Sequence, residues 1–310
     1  MKARARIGIL VATLPFVASS TLAQTSSHAL PVEEAQLAHP GPYKVVQETT
    51  FGLPGHIVFR PVDLDRFPRK DTLPVMVWAN GGCASDSSPY FAFLTTVASH
   101  GFLVLATTQV GDVSDPYWPG PGAATYDRIT LPVRAALDWT ESENARDASP
   151  LKGKIAIARM AAMGVSCGGG IAIMAGSDRR IGTVGAFSDP SWGSVHLNGD
   201  PKDVHLSRLH GPVLILNGGE SDGALAGSTG SFEAINHVPV FYGSRHNAGH
   251  MGTLVLPGGG EFANVVSSWL EWTLKDDTKA GAMFLGSQCE LCVNPNWDTR
   301  SKRLEAVRGK

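Results

Sequence analysis

From Tyr43 onward, short apolar runs recur along the chain, each bounded by Gly, Pro or Asn. Lys44-Val45-Val46-Gln47 and His56-Ile57-Val58-Phe59 have the look of an antiparallel edge pair. The runs at 75–78, 102–105, 155–163, 182–187, 213–216 and 238–242 have the length and apolar content of buried strands. Between them, residues 89–99, 127–143, 167–175, 228–236 and 262–274 space their apolar side chains three and four apart, which predicts helices. Alternation of this kind predicts a mainly parallel sheet with helices on both faces, an α/β fold.

The pattern weakens at both ends. Residues 24–42 show no periodicity and read as a flexible lead-in to a body spanning 43–275. Residues 276–310 are less regular, yet Met283-Phe284-Leu285, Trp297 and two cysteines give them enough apolar surface to dock as a strap rather than form a second domain. The last basic residues, Arg300, Lys302, Arg303 and Lys310, read as a solvated end. At the other terminus Lys2, Arg4 and Arg6 precede the apolar stretch 7–23, which contains Pro15 and closes on Thr21-Leu22-Ala23. That is the pattern of a signal peptide cut after Ala23, the alternative being a retained anchor. Elsewhere no apolar run approaches the ~18 residues of a spanning helix. The expectation is a soluble secreted or periplasmic protein with no membrane partner after cleavage, in a compartment that permits disulfides.

Composition narrows the class further. With 310 residues, 43% apolar and 17% charged, the chain is a folded globular protein and not a disordered one. Its net charge is −2, and removing the three leader cations takes it to −5, which argues against a nucleic-acid partner. One large core, and a monomer, are expected. Four cysteines allow three pairings. Cys289 and Cys292 form a Cys-x-x-Cys in the tail, where 276–310 offers no further Cys or His to complete a zinc site, so a local disulfide is expected there and no metal.

Gly164-Val165-Ser166-Cys167-Gly168 matches the G-x-S-x-G elbow that lifts a serine onto a sharp strand-to-helix turn. A second match, Gly219-Glu220-Ser221-Asp222-Gly223, has no helix pattern starting at its serine, so Ser221 reads as a loop residue. Ser166 is therefore the candidate nucleophile. A serine needs a general base, and the base needs a partner that fixes its tautomer. In the elbow fold these follow in the order serine, acid, histidine. Asp222 lies just past the strand run 213–216, with Glu220 and Asp189 as runners-up. His250 sits in the loop Gly249-His250-Met251-Gly252, with His246 as its rival, and His196, His205, His210 and His237 read as surface residues. The developing oxyanion requires two N–H donors. Cys167, next after the serine, supplies one; Cys83, after the glycines of Trp78-Ala79-Asn80-Gly81-Gly82-Cys83, supplies the other. Both cysteines then adjoin one hole, either bridged or as two free buried thiols.

Together these segments resemble the α/β-hydrolase superfamily, and within it bacterial cutinase-like polyester hydrolases and dienelactone-hydrolase-like esterases. The resemblance spans residues 74–275 and is carried by Gly82-Cys83, by Ser99-His100-Gly101-Phe102-Leu103-Val104, and by Ala158 through Gly170 around the elbow. It implies an eight-stranded sheet, no cofactor, and hydrolysis of short-chain or polymeric carboxylic esters through an acyl-enzyme. Cutinase-like enzymes usually carry an aromatic residue and a Met where this chain has Cys83 and Cys167. Trp192 is placed similarly to their substrate-stacking tryptophan, and Tyr117 and Trp118 are candidates for the facing wall. Two other readings remain: a secreted serine amidase or peptidase on the same triad, and a non-catalytic binding protein on a hydrolase scaffold.

Overall fold

The computed structural model describes residues 38–49, 52–84, 86–107, 126–190 and 202–307. The leader at 1–23 and the three candidate substrate aromatics, Tyr117, Trp118 and Trp192, lie outside these residues, as does His196.

Nine strands form one sheet: β1 (Val45–Thr49), β2 (His56–Pro61), β3 (Leu73–Ala79), β4 (Leu103–Thr107), β5 (Ile155–Val165), β6 (Ile181–Phe187), β7 (Val213–Asn217), β8 (Val240–Arg245) and β9 (Trp297–Lys302). Their order is β1-β2-β4-β3-β5-β6-β7-β8-β9. The six strands from β4 to β8 run parallel, while β1, β2 and β9 pair antiparallel at the edges. Helices α1 (Phe91–Ser99), α2 (Tyr126–Ala145), α3 (Cys167–Ala175), α4 (Lys202–Ser207), α5 (Leu225–Ala234) and α6 (Gly260–Lys275) connect or cover them.

Both faces of the sheet are buried, because successive strand residues point to opposite sides. On β3, Met76 and Trp78 join the core beneath α1 and α6, whereas Val75 and Val77 join the one beneath α2 and α3. The α6 stripe Phe262, Val265, Val266, Trp269 and Leu270 is wholly buried, which is the three-and-four spacing of an amphipathic helix. Trp269 Nε1 also donates to Thr183 Oγ1 at 2.9 Å, so the buried indole keeps its hydrogen bond.

The predicted strands and all five predicted helices are present, with four corrections. The sheet has nine strands rather than eight, because the tail contributes β9 along the outer edge of β8. Arg300, though exposed, and Lys302 are accordingly anchored in an edge strand and not part of a free end. Arg300 lies over the rings of Phe232 and Tyr242 at 4.5 and 4.9 Å, and Lys302 Nζ donates to the carbonyls of Phe232, Glu233 and Ile235. A cation there satisfies carbonyls left open at the C-terminus of α5. Second, α5 begins three residues before the predicted 228, since small residues continue the turn N-terminally, and the six-residue α4 was not foreseen. Third, His205 is buried, whereas His210 and His237 are exposed as expected. Fourth, the described end of the lead-in is fastened to the body: His39 N donates to Asn264 Oδ1 and Gly41 N to Ser99 Oγ, both at 2.7 Å. In the tail Cys289 and Cys292 are bridged, with Cα atoms 4.9 Å apart. Among the described residues no helix is long and apolar enough to cross a membrane.

Candidate active site

The C-terminal ends of β3, β5, β7 and β8 bring the candidate residues together. Ser166 follows β5 and opens α3 with φ 55° and ψ −123°, a conformation uncommon outside glycine. The surrounding packing holds it there. A Cβ on Gly164 would lie 2.4 Å from the Gly168 carbonyl oxygen, and one on Gly168 would lie 2.0 Å from that of Ala79. Strand, elbow and neighbouring strand therefore meet backbone to backbone. Ser166 N donates to Phe187 O at 2.7 Å, and its own carbonyl accepts from Gly169 and Gly170.

His250 Nε2 is 2.9 Å from Ser166 Oγ, and its Nδ1 is 2.8 Å from Asp222 Oδ1. With a carboxylate at Nδ1, that nitrogen carries the proton and donates, leaving Nε2 to accept from the serine hydroxyl. Asp222 is buried and its remaining lone pairs are used: Oδ1 also accepts from Ala224 N at 2.8 Å and Oδ2 from Gly218 N at 3.1 Å. Burial pushes its carboxyl upward, but the His250 hydrogen bond and these N–H groups outweigh it and hold the group below its ordinary range. The hydrogen bond and charge of Asp222 raise His250 above the usual imidazole value, against the opposing effect of burial.

The acid and base loops also meet as bare backbone. Ala248 N and Gly249 N donate to Gly218 O at 2.9 and 3.0 Å, and a Cβ on Gly218 would fall 1.8 Å from Gly249 O. Arg245, at the end of β8, donates from Nη1 to His246 O at 2.8 Å and pairs in the interior with Glu261 of α6. This fixes the chain where the histidine loop departs from the sheet.

The alternatives fall elsewhere. Glu220 and Ser221 are exposed, Ser221 in a single 3₁₀ turn. Asp189 is buried and accepts from Ser231 Oγ at 2.9 Å. His246 Nε2 pairs with Asp298 Oδ2 at 3.1 Å.

Facing the elbow is the turn Gly81–Cys83 that leaves β3, where Gly82 and Cys83 have φ of 65° and 53°. Cys83 and Cys167 are disulfide-bonded, with Cα atoms 5.2 Å apart, and no free cysteine remains. Of the two readings of these cysteines, the bridge holds and the free thiols do not. Two residues given no role by the sequence analysis brace the turn. Asn80, buried, donates from Nδ2 to Ala84 O and Thr107 O at 2.9 and 3.1 Å and accepts from Ser87 Oγ at 2.9 Å. The buried Tyr90 hydroxyl hydrogen-bonds the backbone of Gly81. Asn80 lies within the glycine loop and Tyr90 at the start of a predicted helix, but only the folded loop reveals their bracing task.

A serine hydroxyl, an imidazole and a buried carboxylate in this series can generate a nucleophile and return its proton to a leaving group. Comparison with known proteins points to ester hydrolysis. The family model for PETase, described as PET hydrolase-like, matches residues 31–301. No curated protein matches the chain. A match over that length, on this sheet and these loops, establishes that the chain belongs to the PET hydrolase-like family of α/β-hydrolase ester hydrolases.

Proposed function

We propose that the protein is an exported serine esterase that cleaves short-chain or polymeric carboxylic esters through an acyl-enzyme. The observation that carries this reading is the continuous contact from Ser166 Oγ through His250 to the buried Asp222. Ser166 Oγ attacks the ester carbonyl while His250 Nε2 takes its proton, and Asp222 holds the imidazole and balances its transient charge. The N–H groups of Cys83 and Cys167 receive the oxyanion, one from each side of the cleft; such a donor is worth roughly 3 kcal/mol in the transition state. The imidazolium then protonates the departing alkoxide, and a water activated by the same histidine releases the acid.

Two disulfides, together with the leader pattern, support an oxidising compartment outside the cytoplasm. The family match favours esters over amides as the bond cleaved. Tyr117, Trp118 and Trp192 remain the candidates for substrate walls, and a monomer is the expected working form.

The test is hydrolysis of p-nitrophenyl esters from acetate to palmitate, and of a polycaprolactone film, by the mature protein and Ser166→Ala. Release confined to short chains and film, and absent from the variant, supports the reading. Amide turnover without ester turnover, or a variant that retains more than a few per cent of activity, overturns it.

A further inference from the structure

We infer that the Cys83–Cys167 disulfide is a positioning element for the oxyanion donors, and that its reduction by a small thiol arrests ester turnover while the sheet stays folded. The inference rests on the serine-esterase reading and adds a covalent control to it.

The bridge joins the two turns that carry the proposed donors. On one side Cys83 sits at φ 53°, directly after Gly82 at φ 65°; on the other, Cys167 follows Ser166, itself at φ 55°. A non-glycine residue in this region is costly and persists only where its surroundings over-determine it. Tyr90 fixes the start of the Gly81–Cys83 turn and Asn80 ties the residue beyond it by donating to Ala84 O, while the disulfide is what joins Cys83, the residue that carries the donor, to the elbow. Without it, Cys83 can relax toward an ordinary conformation and turn its N–H away.

The sheet does not need the bridge to keep its register. β3 and β5 are hydrogen-bonded neighbours from Val75–Met160 to Ala79–Gly164, so the strands that bring the two turns together are already paired. What the bridge adds lies beyond the last of those pairs, in the loops that hold the donors. Both cysteines are half-buried rather than sealed in the core, which leaves the sulfurs within reach of a small reagent.

The chemistry balances as ordinary thiol–disulfide exchange. A thiolate attacks one sulfur, the Cys83–Cys167 bond breaks, and the released cysteine thiolate takes a proton from water. A second thiolate attacks the mixed disulfide, expelling the other cysteine, so that two thiols are oxidised to one small disulfide while the protein gains two electrons and two protons. A small disulfide reverses the steps.

The experiment compares oxidised and dithiothreitol-treated enzyme, desalted without oxygen, at a temperature well below unfolding. Reduction is expected to lower kcat about 10- to 100-fold with KM changed less than about threefold, since a displaced donor weakens the transition state more than ground-state binding. The far-ultraviolet circular dichroism is expected to persist, and a fluorophosphonate still to label one site per chain, more slowly. Oxidised glutathione is expected to restore the rate. Cys289→Ser with Cys292→Ser should respond to dithiothreitol as the wild type does, whereas Cys83→Ala with Cys167→Ala should be slow from the outset and indifferent to it. Unchanged kcat in the fully reduced enzyme overturns the inference, as does a loss that tracks the dichroism or the labelling endpoint. An oxidised enzyme that neither hydrolyses esters nor labels overturns the esterase reading itself, and the bridge's role falls with it.

Discussion

Asp222 and His250 form a pair of unequal exposure: their Oδ1–Nδ1 distance is 2.8 Å, yet the carboxylate side chain is fully buried while 42% of the imidazole surface is open. The buried partner sets the ionisation of the open one. Because Asp222 raises His250, kcat/KM should climb with pH through a midpoint above the ordinary imidazole value of about 6.5 as the base loses its proton. Asp222→Asn should lower that midpoint and reduce kcat on the order of 10³- to 10⁴-fold, through loss of the required tautomer. A pH–rate profile of both proteins checks this; identical midpoints would remove Asp222 from the role.

The spacing of base and acid depends on Gly218, whose carbonyl receives Ala248 and Gly249 and whose α-carbon has no room for a methyl. Gly218→Ala leaves Ser166, Asp222 and His250 themselves unchanged, yet it must part the two loops. A displacement near 1 Å costs about 10²-fold in rate. Steady-state kinetics should show that loss in kcat, with far-ultraviolet dichroism retained.

Arg245 and Glu261 are an interior ion pair, each with only 4% of its side chain exposed. Removing one member leaves a buried charge without its counter-charge, which typically costs about 3–5 kcal/mol. Glu261→Ala should lower unfolding stability by that order in guanidinium titration, and should disturb the start of the histidine loop through the Arg245 contact with His246 O.

How much of this was legible beforehand follows from what each feature needs in sequence. The parallel strands announce themselves because burial on both faces demands continuous apolar residues, and the elbow because backbone packing against Ala79 demands Gly164 and Gly168. Asp222 and His250 follow from strand-end position and chain order. β9 escapes such reasoning. Its sequence, Trp-Asp-Thr-Arg-Ser-Lys, is polar after the first residue, and it docks through main-chain pairing to β8 and through cations laid on aromatic rings and helix carbonyls. The tasks of Asn80, Tyr90 and Glu261 were silent for a related reason: each is set by a polar contact that exists only once a loop or neighbouring element has folded against the side chain.

His100 offers a stability prediction with a definite sign. Burial opposes its charge, but hydrogen bonds to Glu271 at 2.9 Å and to the His39 carbonyl at 2.9 Å raise its pKa overall. A histidine raised by folding contributes stability that is complete below its unfolded value, about 6.5, and is lost as pH rises through the folded one. The melting temperature should therefore fall as pH climbs through that window, and fall less in His100→Gln. Parallel melting curves for the two proteins would contradict the assignment.

The most direct test of the central claim is covalent. The oxidised mature protein, treated with a fluorophosphonate, digested and mapped by mass spectrometry, should carry one adduct per chain on the peptide containing Ser166, and Ser166→Ala should carry none. Absence of an adduct from active wild type, or an adduct at Ser221 in its place, would contradict the account.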